Sequence, residues 1–167
     1  MTQPINWTQF TRRIYIDCVL SKVYDAWTTS GQIEQWFLES ADFTKANGDE
    51  RPKDEQAQKG DAYKWKWHHW DNTGTGEVLE ANGRDQLKFT FAGGTVEVTL
   101  KDVNGRTEVN LFQDGIKTDE KSCYDIFYGC SLGWSFWMVN QKAWLEHGIT
   151  LNETGEIPSN GIHMVNT

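Results

Sequence analysis

The chain of 167 residues carries nine tryptophans and eight phenylalanines, and these are the side chains with most to offer a partner molecule. Trp65 and Trp67 fall on alternate positions of one strand-like segment, Phe89 and Phe91 on those of another, and Trp134, Trp137 and Met138 share a helical stripe. Such a set can line a cavity for an apolar or amphipathic ligand, because aromatic rings offer a large apolar surface together with a directional quadrupole. It can equally form plain core. Buried indoles also need an acceptor for their N–H, which suits an amphipathic ligand or ordered water better than a dry aliphatic interior. Trp27, Trp36 and Phe37 lie on short helical segments, where they either anchor those helices or gate the cavity. His69 is a candidate polar group at its mouth.

Other chemistry finds little footing. His68 and His69 are neighbours, so on a strand they face opposite ways and cannot share a metal ion. Adding His147 and His163 gives no ligand spacing, and no metal or cofactor is expected. There is no GxSxG elbow, no HExxH and no phosphate loop, so no catalytic residue is assigned. General acid or base work would need an inward titratable group, for which Glu77, Glu80, His69 and Tyr63 are the candidates; a carboxylate turned into an apolar cavity would hold its proton to higher pH. Cys18, Cys123 and Cys130 follow no CxxC or zinc spacing and read as small buried hydrophobes.

Charge narrows the partners. With 24 acidic and 16 basic residues the net charge is -8, which disfavours nucleic acid and anionic lipid, since both reward clustered Lys and Arg. No apolar run approaches the roughly 20 residues of a membrane span, and the start Met-Thr-Gln-Pro-Ile-Asn has no basic region before an apolar one. The expected location is cytoplasmic. The length predicts one domain over 1–167, able to build its core without disulfides or metal.

The elements that must position the aromatic set follow from periodicity. Phe10, Ile14 and Ile16 alternate within Gln9 to Asp17 and predict a first strand. Ser21 reads as an N-cap, and two short helices joined at Ser30-Gly31 carry Val23, Tyr24, Trp27, Ile33 and Trp36. A strand from Glu39 to Lys45 leads into a polar exposed loop, Asp49 to Lys59. Strands are then expected at Asp61 to Trp70, Gly76 to Ala81, Gln86 to Ala92, Thr95 to Asp102 and Arg106 to Gln113, separated by Asn72-Thr73-Gly74, Asn82-Gly83, Gly93-Gly94 and Asn104-Gly105, which are hairpin signals. Along them Tyr63, Trp65, Trp67 and His69 oppose Lys64, Lys66 and His68, while Phe89 and Phe91 oppose Lys88. The strand at Gly76 is ambiguous, with either Val78 and Glu80 or Glu77 and Leu79 inward. A helix of about 30 residues, on the order of 45 Å long, should start at Thr118 and stop at Gly148. Gly129 and Gly133 weaken it by about 1 kcal/mol each and suggest a bend. The stretch 149–167 has no periodicity and reads as an irregular tail.

Trp27-Thr28-Thr29-Ser30-Gly31-Gln32-Ile33-Glu34-Gln35-Trp36-Phe37, then Gly76-Glu77-Val78-Leu79-Glu80, then Gly133-Trp134 with Asn140-Gln141-Lys142 and Leu145-Glu146-His147-Gly148 together carry a resemblance. In this order they resemble the family named for the activator of heat-shock-protein-90 ATPase homologue, within the START-related helix-grip superfamily, over about residues 9 to 148. The resemblance implies an α+β helix-grip fold, a curved antiparallel seven-stranded sheet wrapped around the long C-terminal helix with the two short helices closing one end. It also implies a cavity between helix and sheet for a small apolar or amphipathic molecule. Two other readings come with it: an interaction protein acting on a chaperone ATPase, and a cyclase- or hydrolase-like enzyme.

Overall fold

Tight turns set the register of the meander. Asn104 and Gly105 adopt φ of 57° and 83°, and Ala92 and Gly93 adopt 50° and 81°, the left-handed pairs of hairpin turns whose twist matches their strands. The computed structural model describes residues 5–158 and 164–167. It contains seven strands: β1 (Phe10–Ile16), β2 (Ser40–Thr44), β3 (Ala62–Lys66), β4 (Thr73–Ala81), β5 (Gln86–Phe91), β6 (Gly94–Val103) and β7 (Arg106–Asp114). They form one sheet in the order β1-β7-β6-β5-β4-β3-β2, with every pair antiparallel. Between β1 and β2 the chain crosses from one sheet edge to the other through α1 (Leu20–Thr28) and α2 (Ser30–Trp36). The final helix, α3, runs as α-helix over Glu120–Ser122, as π-helix over Cys123–Tyr128 and as α-helix again over Gly129–His147. Sheet, long helix and two closing helices make the α+β helix-grip arrangement. Among the described residues no helix is long and apolar enough to cross a membrane.

Helix α3 is fastened to β1 at both ends of their contact. The Arg12 guanidinium donates to the Ser135 hydroxyl at 3.0 Å and to the Ser131 carbonyl at 3.3 Å, while lying over the Phe10 ring. Toward the other end Lys142 donates to the Tyr15 carbonyl at 2.8 Å, and Glu146 accepts from the Asp17 backbone at 2.6 Å. Arg12 thus points to the core side of β1, and its stem covers apolar surface while its charge is satisfied by helix oxygens.

Several boundaries differ from the periodicity. Strand β3 stops at Lys66, and the residues from Trp67 to Asn72 form the connection, because Lys66 already pairs with Thr73 and Trp65 with Gly74. His69 sits in that connection at φ 62°, so its strand alternation with Trp67 is lost. Gly94 opens β6 instead of closing the preceding turn. In β4 a bulge between Val78 and Glu80 resolves the ambiguity: Val78 is buried, and Glu77 and Glu80 are both exposed. The cap of α3 is Asp119, whose carboxylate accepts the Ser122 N–H at 3.0 Å, and α1 begins after Val19 without any side-chain cap at Ser21. The departure from regular helix falls on the π turn, ending at Gly129.

The polar stretch 49–59 is not simply exposed. Arg51 is 6% exposed and its guanidinium grips Asp61 with both carboxylate oxygens, at 2.5 and 2.9 Å. Asp61 also accepts the Gln58 N–H at 2.8 Å. Ala57 is buried and donates to Thr28 at 2.7 Å, and Gly31 donates to Lys53 at 2.9 Å, so the loop is clipped to α1 and α2. Removing one member of such a pair strands the other charge in a poorly solvated site. Asp61→Leu is therefore expected to cost about 3 to 5 kcal/mol, and Arg51→Met combined with Asp61→Leu much less than the sum of the single changes; denaturant midpoints of the three variants check this, and a midpoint unmoved in Asp61→Leu contradicts the clamp.

Tyr63 supplies a pH signature. Its hydroxyl donates to the Thr90 carbonyl at 2.5 Å, and burial pushes its pKa from 10.0 up to about 12. The folded state thus favours the neutral phenol, a contribution complete below pH 10.0 and lost as pH rises through about 12. Tyr63→Phe is expected to flatten part of the fall in stability across that window, measured as unfolding free energy at successive pH values; a slope identical to that of the parent counts against it.

Candidate functional site

A single helix cannot touch the whole of a wide curved sheet. The backbone of α3 runs close to β1 and α2 and stands off from β3, β4 and β5. The space left between is a cavity of about 500 Å³. Phe37, Trp134 and Trp137 form its inner end, Trp67, Gly74 and Phe91 the sheet side, and Asp125, Ile126, Gly129, Cys130 and Gly133 the helix side. Trp70, 53% exposed, stands at the mouth with Asn72 and Thr73, and Ala92 and Thr167 complete the lining.

The rings hold one another in place. Phe37, Trp67, Phe91 and Trp134 close a circuit with successive centroid separations of 5.9, 6.3, 5.2 and 5.5 Å, and Trp137 packs edge-on to Phe37 at 5.1 Å. These are the separations of interacting aromatic pairs. Trp134 donates its N–H to the Oε1 of buried Gln113 on β7 at 2.9 Å, which fixes the ring, and the indole is otherwise packed with only its edge on the cavity. Trp67 lies against Gly74, where a Cβ would come within 2.9 Å of the indole. A side chain at that position would push the indole off the strand. Gly76 plays the same part for Tyr63, with an added Cβ 2.5 Å from the phenol oxygen.

Gly133 behaves differently. It lies within α3, and a Cβ built on it meets nothing within 4 Å. No neighbour requires glycine there, and in mid-helix the residue is unfavourable by about 1 kcal/mol relative to alanine. What its missing side chain preserves is open cavity. The π turn before it adds width to the helix and carries Asp125 and Ile126 on the cavity wall.

The residues singled out by sequence separate into two groups. Trp67, Phe91, Trp134, Trp137 and Phe37 line the cavity. Trp65, Phe89 and Met138 are buried beneath it in the packed layer, Trp65 stacking on Tyr63 at 4.2 Å. Trp27 and Trp36 are also buried, packed against each other at 5.0 Å, with the Trp36 N–H donated to Ala26 at 2.9 Å. His69 turns away from the lining, its Nε2 lying 3.1 Å from the Glu153 carbonyl. Trp70, Asp125 and Ile126 were not marked by any periodicity, because Trp70 stands in a connection and the other two in the π turn. Gly129 and Gly133 did carry a signal, their cost to a helix.

Titratable groups on the wall are few. Asp125 is the one carboxylate side chain among the described lining residues, and it pairs with Lys121 one turn earlier. Burial pushes the Cys130 thiol up, with Gln113 pulling the other way, which keeps it neutral. Glu80 pairs with Lys59 at 2.7 Å on the outside. Among the described residues no group of His, Cys, Asp or Glu has the arrangement of a metal site; His163 lies outside the described residues. The cavity can therefore enclose and orient an apolar body, with the Asp125 carboxylate on its wall.

Solved structures share this architecture. A protein from Staphylococcus saprophyticus aligns with a TM-score of 0.68 at 16% identity, over 86% of this chain and 95% of that one. The Aha1 dimer from Colwellia psychrerythraea aligns at 0.66 and 17% identity, over 84% and 97%. A conserved protein of unknown function from Enterococcus faecalis gives 0.64 and 14%, over 89% and 77%. No curated protein matches. At these identities the likeness speaks for the fold. The family description "Activator of Hsp90 ATPase homolog 1-like protein" matches residues 17–143, the span from the end of β1 through most of α3, and the chain belongs to that family.

Proposed function

We propose that the protein is a cytoplasmic binder of a small apolar or amphipathic molecule, held in the cavity between α3 and the β3–β5 side of the sheet. The observation that carries this reading is Gly133, a mid-helix glycine with nothing packed against it, facing an enclosure of aromatic rings. A protein selected only for a filled core gains from any side chain there. Ligand cavities are largely apolar and preformed, with few polar groups, and the wall of this one fits that description.

The same residue supplies the test. Gly133→Ala is expected to raise stability by about 0.5 to 1 kcal/mol, and Gly133→Leu to keep the fold while abolishing saturable binding of an apolar fluorescent probe that quenches the indoles of the parent. Trp137→Ala should cost about 3 to 5 kcal/mol, because the side chain is buried in the core although it borders the cavity, and should change probe affinity. Thermal melts and probe titrations read both. A parent that binds no probe, or a Gly133→Leu variant that binds as the parent does, overturns the reading.

A second reading, an interaction protein acting on a chaperone ATPase, draws support from the family description and from one surface feature. Tyr124 and Tyr128 are exposed and stacked at 5.9 Å, followed by exposed Leu132 one turn on. If this stripe meets a chaperone, adding the protein should raise the chaperone's ATPase rate, and Tyr124→Ser with Tyr128→Ser should remove the rise; an unchanged rate on addition of the parent sets the reading aside.

A further inference from the structure

The polar end of the ligand is legible in the cavity's charge. We propose that the cavity takes a cationic amphiphile, an apolar body carrying a protonated amine or quaternary ammonium, whose head sits at the mouth between the Asp125 carboxylate and the Trp70 indole. This rests on the cavity being a ligand site. Among the described residues no lysine, arginine or histidine lines the cavity, and Asp125 is the one acidic side chain on its wall. Trp70, exposed at the opening, is the ring type that best attracts a cation through its face. The inner wall, by contrast, is the uncharged circuit of Phe37, Trp67, Phe91 and Trp134.

The present partner of Asp125 is weakly committed. The Lys121 side chain is 84% exposed and Asp125 45%, and an exposed pair one helical turn apart contributes little in water. An ammonium brought in by a ligand meets the same carboxylate while its tail leaves water for the ring box, so exchange of partners is favourable. Along α3 the nine positions from Asp125 to Trp134 span about 13 Å, a reach that a medium-length alkyl chain covers. The net charge of -8 acts in the same sense, drawing cations and repelling anions from the surface.

Three single-chain amphiphiles with the same ten-carbon tail, used below their micelle concentrations, isolate the head: decyltrimethylammonium, decyl maltoside and decyl sulfate. Displacement of a bound apolar probe should rank them cation, neutral, anion, with about tenfold between the first and last. Asp125→Asn should lower affinity for decyltrimethylammonium to that for the maltoside and leave the maltoside unchanged, Trp70→Ala should weaken the cation more than the maltoside, and Lys121→Ala should tighten the cation. Saturable binding with equal affinities for the three, or with the sulfate tightest, overturns this inference and leaves the ligand reading standing. Failure of all three to bind, in a parent that also binds no probe, overturns the ligand reading itself.

Discussion

The grip of α3 on β1 is the constraint from which the rest follows. Arg12 at one end, with Lys142 and Glu146 at the other, bind the helix to one sheet edge, and α2 packs beside it. Once the helix is committed to that edge, the curvature of a seven-stranded sheet carries β3, β4 and β5 away from it. Long charged side chains suit this task because their apolar stems cover the core while their heads reach across, Arg12 to helix oxygens and Lys142 and Glu146 to the backbone at Tyr15 and Asp17. A purely aliphatic contact would let the helix slide along the sheet; these bonds to particular oxygens set its position along β1.

The space opened on the far side is bridged by rings instead of closed by backbone. Large planar side chains span gaps that Leu or Val leave empty, and they brace one another by edge and face contacts. Glycine makes this possible from below: Gly74 and Gly76 let Trp67 and Tyr63 lie against β4, a use of strand glycine as a site of close approach. The indole N–H groups of Trp36 and Trp134 are satisfied by Ala26 and Gln113, so these rings stay oriented without a ligand. The rings on the cavity wall are thus braced by one another, while the exposed Trp70 and the Asp125 carboxylate come from the connection after β3 and from the π turn.

What sequence revealed tracks what periodicity can encode. The strands β5, β6 and β7 and their hairpins were legible because alternation and Asn-Gly or Gly-Gly turns are local signals. The helices were legible from spacing, with the C-terminal stop at Gly148 confirmed by its φ of 68°. The connection Trp67 to Asn72 was misread as strand, since its residues continue the aromatic alternation and only pairing with Thr73 and Gly74 ends it. Arg51 and Asp61 were invisible because a buried ion pair has the composition of a surface loop. The π turn leaves no mark in residue type, and with it Asp125 and Ile126 were lost from the wall. Of the nine aromatic residues singled out, Phe37, Trp67, Phe91, Trp134 and Trp137 border the cavity and Trp27, Trp36, Trp65 and Phe89 lie in the packed layer, a division set by the third dimension of the sheet's curvature and not by which face of a strand a residue occupies.

The fold is shared with the three solved structures above at 14 to 17% identity to this chain. The requirements that fix the backbone, turn glycines, a clamped helix and a buried layer under the cavity, are met by a minority of positions. Gly133, Asp125 and Trp70 meet none of them: a side chain added at Gly133 would start into open space, Asp125 pairs with an exposed lysine, and Trp70 stands in a connection. Substitution at such positions changes the shape and charge of the cavity at little cost to folding, since large losses of stability come from core, caps and buried pairs. The shape and charge of the cavity are therefore free to change while the scaffold is held, and these three lining positions are where such a change costs folding least.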